Sequence, residues 1–565
     1  MRGPNQRTGE PPLTHIRNGV SSMPADLVLY NGKIATVNAK NEFVRAVAVK
    51  DGRFAALGTA AEAMATPVGA RKVVDLGGST VIPGIIDSHN HIIHAGTVLE
   101  GVMLFDARTI QDVRDAVARR VSQAAPGDWI EGGGWIESQF KEFRAPTRFD
   151  LDEVSPDNPV ILDRLFGASV VNSRALAIAG IDRNTPDPRR GQIDRDPATG
   201  EPTGILRNGA QALVDAVVAA KPTSDRLERT RDLIDLTCRE YVRWGITSVI
   251  DPGVPPLAMQ AYQQMRDAGR LPLRLNMMPA WYGLFATADQ ADLDSVATAL
   301  GARTGLGDEW LRIGALKMAI DGGLASKTAM LNQPFSDGSI STIPLRLNVD
   351  RLQEHFQLAM RHDWSVGIHC CGDRAQDLAC EAFARALDAT GRKPARHNII
   401  HGYLPTPRAL DLMAECGIGV SVQPGFMWVE GDMYYRVVEE RRVHYFKPLQ
   451  TYLAHGIKVA ANSDMTSAHY NPFFGMHSVV TRKTSQGQVM GESERITDRA
   501  QMLRLFTING AWLTGEEESK GSIETGKLAD LAVLSDDLFT VPDDAIRDLK
   551  VKMTVIGGKI VHSTL

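Results

Sequence analysis

The stretch Ile82–Gly96, IPGIIDSHNHIIHAG, joins an apolar run to a cluster of histidines. The apolar run ends at Asp87, and His89, His91 and His94 follow it directly. Such a run has the composition of a buried strand. Side chains two residues apart in an extended chain point to the same side, so the first two imidazoles can reach one metal ion. Two ordinary loop histidines would give the same pattern, so the interpretation depends on further ligands elsewhere in the chain.

The composition is that of a globular enzyme with more than one structural unit. The chain has 565 residues, of which 43% are apolar and 23% are charged, and this length exceeds one ordinary core. The net charge of −5 lacks the basic excess of a nucleic-acid-binding protein. No apolar run reaches the length of about 18 residues that a membrane span needs. We therefore expect a small-molecule substrate, with no nucleic acid and no membrane as partners.

The cysteines and the first residues indicate the cellular compartment. Residues 1–22 are rich in Pro, Gly, Arg and Ser and lack the apolar core of a secretory signal. We predict that they form a disordered leader, and Met23 is an alternative start. Five cysteines without CxxC spacing indicate reduced thiols in a cytoplasmic protein rather than a disulfide framework. They are Cys238, Cys370, Cys371, Cys380 and Cys416.

Both ends of the chain have the pattern of short strands joined by tight turns. Asn31-Gly32 and Asp51-Gly52 divide the first segment, and Gly557-Gly558 divides the last. Such dipeptides between alternating apolar and polar residues are hairpin signals. Neither end has enough strands to bury a sheet alone. We therefore predict one composite β-sandwich, built from residues 23–80 and 515–565.

Residues 81–514 alternate short apolar strands with amphipathic helices, which is typical of a (β/α)₈ TIM-like barrel in the α/β class. One connection, about 105–225, is too long for a simple crossover and contains the Gly-rich WIEGGGWIE. We predict that it is an insertion covering the barrel mouth. The eight predicted strands are 81–87, 246–251, 273–279, 311–319, 365–370, 397–401, 418–423 and 457–463.

Residues that suit a metal centre occur at or near the ends of five predicted strands, and a β/α barrel has its active site at those ends. Imidazole and carboxylate suit zinc or a similar divalent ion. A lysine inside an apolar run must pair, reach solvent or be modified. Each residue alone is explained by a structural role, but the combination predicts a metal site. Its members are His89, His91, Lys317, His369, His401 and Asp464.

This ligand order resembles the metal-dependent amidohydrolase superfamily, and longer stretches resemble its amidohydrolase 3 subgroup, which contains N-substituted formamide deformylases. The stretches include PGIIDSHNH, VVNSRALAIAGI, IGALKMAIDGG, HCCGDRA, ARHNIIH and GSIETGKLADLAVLS. The resemblance runs from about Ala25 to the C-terminus. It implies the barrel and the β-sandwich, and one or two divalent ions, most often zinc. It is also compatible with a carbamylated Lys317 that would bridge two ions, with an ion-paired lysine as the alternative, and with a homodimer.

The resemblance implies a hydrolase of carbon–nitrogen bonds other than peptide bonds, such as N-substituted formamides or N-acyl compounds. The metal lowers the pKa of water toward ~7, so hydroxide forms at neutral pH. Asp464 then accepts the proton and delivers it to the leaving nitrogen. Deamination, hydrolysis of esters, carbamates or cyclic amides, and a non-catalytic regulatory role stay open.

The chain departs from the subgroup's usual pattern at three places, which bear on substrate choice rather than on the metal. No histidine lies between Arg164 and Asn172. Ile400 stands where an acidic residue is usual, and Asn462 stands where glycine is usual.

Three residues outside the metal set are candidates for substrate contact. Trp135 follows the Gly-rich run of the insertion, Arg374 lies in HCCGDRA, and Trp428 lies in an aromatic segment after the seventh strand. Packing would equally explain Trp135, and helix capping or pairing with Asp373 would explain Arg374. We expect a supporting or structural role for His94.

Overall fold

The computed structural model describes most of the chain, and the predicted leader, residues 1–22, lies outside the described residues. The described ranges are 25–59, 70–165, 167–188, 191–218, 223–280, 301–341, 351–392 and 395–565.

Parallel strands from the middle of the chain form two sheets, one of four strands and one of five. Neighbouring strands pair in parallel throughout both sheets. The first sheet contains Ile85–Asp87, Ile246–Val254, Arg274–Pro279 and Leu311–Ile313. The second contains Leu316–Ala319, Val366–Cys370, Asn398–His401, Gly419–Val422 and Val459–Ala461. Every predicted strand of this region therefore has a counterpart in the structure.

The prediction of 81–87 and 311–319 as two continuous strands was wrong, because each segment is divided at a glycine into two shorter strands. The first is divided at Gly84, where a Cβ would lie 2.1 Å from Thr247 Oγ1. Residues on its N-terminal side belong to a different sheet, the one formed by the chain ends. The second is divided around Gly314, whose N–H donates to the carbonyl of a neighbouring strand.

Two contacts connect the two parallel sheets. A parallel bridge pairs Ala280, directly after the strand Arg274–Pro279 of the first sheet, with Lys317 on the strand Leu316–Ala319 of the second. In the second contact, the Ser88 N–H donates to the Ala461 carbonyl at 3.4 Å. The ends of the first and last parallel strands are therefore neighbours.

Helices connect the parallel strands and bury their apolar faces in the main hydrophobic core. Phe356 and Phe383, on two successive helices, stack with ring centroids 4.0 Å apart. Within the described ranges, no helix has the length and apolar character needed to cross a membrane. The helices of this region are Ile92–Glu100, Thr223–Val242, Pro256–Asp267, Leu352–Arg361, Asp373–Thr390, Pro407–Glu415, Phe426–Val437, Glu440–His444, Leu449–Ala454, Pro472–Thr481, Arg499–Leu505 and Ile508–Leu513.

The predicted insertion contains a mixed six-stranded sheet with two hydrophobic clusters of its own. Its strands are, in spatial order, Gly191–Arg195, Pro202–Asn208, Ala168–Val171, Val160–Arg164, Ile130–Trp135 and Val102–Met103. Its helices are Ile110–Val121, Arg148–Asp152, Ser173–Ile178 and Ala212–Val218.

The two chain ends share one six-stranded sheet. Leu531–Leu534 pairs antiparallel with Thr80–Pro83, which joins three strands of each end. The strands are, in spatial order, Lys559–Ser563, Val551–Ile556, Leu531–Leu534, Thr80–Pro83, Lys33–Ala35 and Phe43–Val44. A second sheet of four strands contains Arg53–Gly58, Ala46–Lys50, Leu27–Tyr30 and Lys72–Asp75. The pairing of both ends agrees with a composite domain, and the exact domain limits stay a prediction.

We expect Gly314→Ala to destabilise the protein, because the new Cβ would lie 1.9 Å from Asn276 Oδ1. Forcing one extra carbon into a packed interior costs about 1–3 kcal/mol. The shift of the urea unfolding midpoint measures this cost. Gly425→Ala is the matched control, since its Cβ would have its nearest neighbours at 3.7 Å. Equal midpoints for the two variants would contradict the steric explanation.

Candidate metal centre

One group of possible ligands contains His89, His91 and Asp464. Asp464 Oδ1 lies 3.5 Å from His91 Nε2 and 3.9 Å from His89 Nε2. The 3.9 Å separation exceeds hydrogen-bonding range, and 3.5 Å is at its limit. Two ligands of one tetrahedral ion, bound at 2.0–2.1 Å, are about 3.3 Å apart. The three donors therefore have the spacing and the chemistry of a divalent-metal site.

A second group of possible ligands contains His369, Cys371 and His401. His401 Nε2 lies 2.7 Å from His369 Nδ1, and the Cys371 Sγ lies 3.4 Å from His369 Nε2. Asp464 connects the two groups, because its Oδ2 lies 3.9 Å from His401 Nδ1. Cys371 is outside the predicted ligand set, and its position two residues after His369 is the sequence signal for it.

Lys317 lies beside the first group. Its Nζ is 3.2 Å from His89 Nε2, and its side chain is half-buried. The structure thus brings all six residues of the predicted metal set into one continuous cluster. The first and last of them in the chain are His89 and Asp464.

Two members of the cluster have unusual backbone conformations. The φ angles of His401 and Asp464 are 81° and 48°, in the left-handed region that residues with a Cβ rarely adopt. The Asp464 N–H donates to the His89 carbonyl at 2.9 Å, which holds the last strand end against the first. Strained backbone of this kind occurs often at functional sites.

Burial keeps the imidazoles neutral. It lowers the pKa of His89 and His401 well below the usual value and that of His91 to about 3, and the nearby Lys317 ammonium acts in the same direction. A neutral imidazole has one nitrogen with a free lone pair, which is the form that ligates a metal. The cluster is therefore prepared to bind a cation without first releasing protons from these three rings.

Burial also affects the carboxylate of the cluster. It raises the pKa of Asp464 to about 6, against the opposing attraction of Lys317 and Lys447. A carboxyl group with this pKa can both accept and release a proton near neutral pH.

Three of the four histidines have an oxygen acceptor beside the ring. A hydrogen bond to such an acceptor selects the tautomer of a ligating histidine. The acceptors are the Pro252 carbonyl for His91, the Gly322 carbonyl for His369 at 3.5 Å, and Gln423 Oε1 for His401 at 2.9 Å. In the part of the chain that the structure describes, His89 Nδ1 is buried without a hydrogen-bond partner.

Sequence reasoning missed several buried residues that support the cluster. Asp87 accepts hydrogen bonds from the Asn90 amide at 2.9 Å and the Ser463 hydroxyl at 2.6 Å, so it ties the first strand to the segment before Asp464. Its place at the end of the opening apolar run was the available signal. Gln423 and Lys447 gave no comparable signal, because neither lies in a recognisable ligand motif.

Asp321 supports the second group in a similar way. Its carboxylate accepts from the backbone N–H groups of Cys371, Gly372 and Met330 at 2.8–3.0 Å, and its Oδ1 lies 3.7 Å from His369 Nε2. The position of this aspartate in IGALKMAIDGG, shortly after the predicted lysine, was the signal that could have identified it.

The structure places the three predicted substrate-contact residues in different environments. Trp135 is 1% exposed in the core of the insertion, and its indole N–H donates to the Leu162 carbonyl at 2.9 Å. It therefore offers no surface to a substrate in this conformation, and packing accounts for it. Arg374 is exposed, and its backbone N–H donates to the Asp373 carboxylate at 2.9 Å.

Trp428 is the candidate that lines a cavity. The cavity has a volume of about 290 Å³ and is bordered by Phe105, His469, Phe474 and Arg547 among others. The Arg547 guanidinium lies 5.2 Å from the indole centroid. A substrate contact for Trp428 stays a prediction.

His94 connects the insertion to the metal cluster. Its Nε2 lies 2.7 Å from Asp163 Oδ2, on an insertion strand, and its Nδ1 lies 3.2 Å from Thr466 Oγ1. Since Thr466 is two residues after Asp464, these bonds give His94 a supporting position next to the cluster.

Comparison with known proteins agrees with this geometry. The model of the Amidohydrolase family matches residues 72–562. The chain is 30% identical over 544 residues to the N-substituted formamide deformylase of Arthrobacter pascens, covering 94% of this chain and 97% of that protein. It is 29% identical over 551 residues to a putative amidohydrolase of Bacillus subtilis, covering 95% and 99%.

Solved structures resemble the whole fold. An uncharacterized metal-dependent hydrolase from Pyrococcus furiosus superposes with a TM-score of 0.70 and 25% identity, covering 91% of this chain and 100% of that one. A metal-dependent hydrolase from Pyrococcus horikoshii gives a TM-score of 0.73 at 23% identity, covering 92% and 99%, and so supports the fold. The chain therefore belongs to the amidohydrolase family, and it is a metal-dependent hydrolase that acts on carbon–nitrogen bonds.

Proposed function

We propose that this protein hydrolyses a non-peptide amide, of the N-substituted formamide or N-acyl type, and releases an amine. The observation that carries the proposal is the convergence of His89, His91 and Asp464 on one point beside Lys317. The similarity to a formamide deformylase over 97% of that protein's length favours this substrate class.

The cluster would hold one or two divalent ions, and zinc suits its donors best. A bound ion of this kind activates water and polarises the substrate carbonyl. An ammonium has no lone pair for a metal, so Lys317 would contribute only after reaction with CO₂ to a carbamate. Intact-mass measurement under CO₂ tests that modification. The proposed ligands are His89, His91, carbamylated Lys317, His369, His401 and Asp464.

Asp464 would be the general acid and base. It would accept a proton from the attacking water at its carboxylate and deliver it to the leaving nitrogen, and its raised pKa suits both steps. The neutral imidazoles around it cannot compete for that proton, because burial lowers the pKa of His91 to about 3 and that of His89 well below its usual value.

We also propose that the two parallel sheets are the halves of one (β/α)₈ barrel. The bridge between Ala280 and Lys317 and the hydrogen bond from Ser88 to Ala461 support this arrangement. The composite β-sandwich of residues 23–80 and 515–565, a homodimer and a cytoplasmic location stay predictions.

A panel assay tests the substrate class. Protein stripped of metal with a chelator and then reloaded with zinc is incubated with N-substituted formamides, N-acyl amino acids, cyclic amides, aryl carbamates, esters and aminated heterocycles. We expect release of a primary amine from a formamide or N-acyl compound by the reloaded protein only.

Other outcomes would contradict the proposal in defined ways. Ammonia release from an aminated heterocycle would assign a deaminase, and turnover of esters alone would assign an esterase. Equal turnover by stripped and reloaded protein would contradict a role for the metal. Full metal loading without turnover of any class would favour a binding or regulatory role.

A further inference from the structure

Gln423 lies between His401 and a buried lysine. Its Oε1 is 2.9 Å from His401 Nδ1 and accepts a hydrogen bond from Lys447 Nζ at 2.7 Å. We propose that Gln423 and Lys447 are positioning residues that hold His401 in the tautomer whose Nε2 faces the metal centre. This inference rests on the proposed function, because it assigns a role toward the metal that the cluster would bind.

The orientation of the Gln423 amide follows from its neighbours. Its Nε2 donates to Asn462 Oδ1 at 3.0 Å, and the Asn462 amide donates to Ser421 Oγ at 2.9 Å. A flipped amide would direct its NH₂ group at Lys447 Nζ and leave the Asn462 oxygen without its donor. A buried polar group that loses its hydrogen-bond partner is destabilising.

The tautomer of His401 follows from the amide orientation. An amide oxygen can only accept hydrogen bonds, so the proton of the neutral ring must be on Nδ1. Nε2 then keeps its lone pair, and it is this nitrogen that lies 2.7 Å from His369 Nδ1. For His91 and His369 the corresponding acceptors are backbone carbonyls. Among the three histidines with such an acceptor, only His401 depends on a side chain that mutation can remove.

Burying the amino group of Lys447 beside Gln423 costs free energy. The residue is 0% exposed, and its Nζ lies 4.4 Å and 4.5 Å from the ring centroids of Tyr403 and Phe426. Burying an ammonium is costly unless it is paired, and these rings give only part of that compensation. Its hydrogen bond to Gln423 directs an N–H donor at the amide oxygen that His401 uses. A simple packing role would be filled better by an apolar side chain of the same length.

Zinc affinity measured on the purified full-length protein tests the proposal. Competition with a chromophoric chelator gives the dissociation constant of wild type and of three variants. Gln423→Leu removes the acceptor, Gln423→Glu keeps an acceptor oxygen, and Lys447→Met removes the ammonium but keeps the volume. Removing a partner that orients a metal ligand typically weakens metal binding about 10–100-fold. We expect this loss in Gln423→Leu and a smaller loss in Lys447→Met. We expect an affinity between those of Gln423→Leu and wild type in Gln423→Glu, which keeps the acceptor for His401 but loses the donor to Asn462.

Lys520→Met is the matched control. Lys520 is 4% exposed and its ammonium bonds to Ser248 Oγ at 2.9 Å, outside the metal cluster, so we expect no change in zinc affinity. An equal loss in this control would overturn the inference, since any buried lysine would then have the same effect.

Three further outcomes separate the inference from the proposed function. Wild-type zinc affinity in folded Gln423→Leu or folded Lys447→Met would overturn the inference and leave the metal centre intact. Failure of Gln423→Glu to restore affinity would overturn it as well, because the acceptor oxygen would not be what matters. A wild-type protein that binds no stoichiometric zinc would overturn both. If Gln423→Leu does not fold, Lys447→Met and Gln423→Glu decide.

Discussion

We expect Asp464→Asn to lower the turnover number by about 10²–10⁴-fold, the contribution typical of a general acid–base group. The substitution keeps the shape of the side chain and an oxygen that can face the metal, but it removes the ability to take up a proton. The carboxylate is 5% exposed and close to three histidines of the cluster. No bulk water therefore replaces it efficiently as a proton acceptor.

Steady-state turnover of the best substrate from the panel measures this effect, with metal content determined on the same samples. Asp536→Asn is the control, because Asp536 is exposed and outside the cluster, and we expect wild-type turnover from it. If full zinc loading returns the variant to wild-type turnover, Asp464 acts only as a metal ligand. Turnover within a few-fold of wild type would contradict its catalytic role.

We expect Asp530→Ala to destabilise the protein by about 3–5 kcal/mol, the cost of leaving a buried charge without its partner. Arg274 is 1% exposed and Asp530 is 6% exposed, and the pair is bidentate at 2.7 Å and 3.0 Å. The same carboxylate accepts the Gly557 N–H at 2.8 Å. It therefore joins a strand of the parallel sheet to the sheet formed by the chain ends.

The free energy of unfolding, obtained from the midpoint and the slope of urea unfolding, measures this loss. Asp267→Ala is the control, because its ion pair with Arg266 is exposed and such pairs contribute only about 0–1 kcal/mol. If Asp530→Ala unfolds at the same urea concentration as the control, the buried pair does not hold the two sheets together. Arg274→Met with Asp530→Leu, which removes both charges, should recover much of the loss.

The sequence alone predicted which six residues the fold brings together as a candidate metal set. His89, His91, His369 and His401 each lie at or just beyond the end of a short apolar strand, and Asp464 follows another. Strand patterns depend on local periodicity, and ligand chemistry depends on residue type, so both can be inferred without knowing which segments meet. The parallel alternation of strands and helices then predicts that all strand ends lie on one side.

Only the tertiary structure decided how the strands end and what surrounds the ligands. The division of strands at Gly84 and Gly314 depends on side chains of neighbouring strands, Thr247 and Asn276, which local patterns cannot identify. The burial of Trp135 likewise follows from the packing of an insertion sheet whose strands are up to about a hundred residues apart in the chain.

The support of His401 is the clearest case of a feature that the sequence did not determine. Gln423 and Lys447 are separated by a helical segment, and neither residue type identifies a metal centre. Their role follows from two hydrogen bonds to one oxygen atom, at 2.9 Å and 2.7 Å. Hydrogen bonds depend on distances of a few tenths of an ångström, which only the packed chain defines. Residue types and their spacing therefore determined which residues could bind a metal, and the tertiary structure determined which ring nitrogen of His401 lies against Gln423.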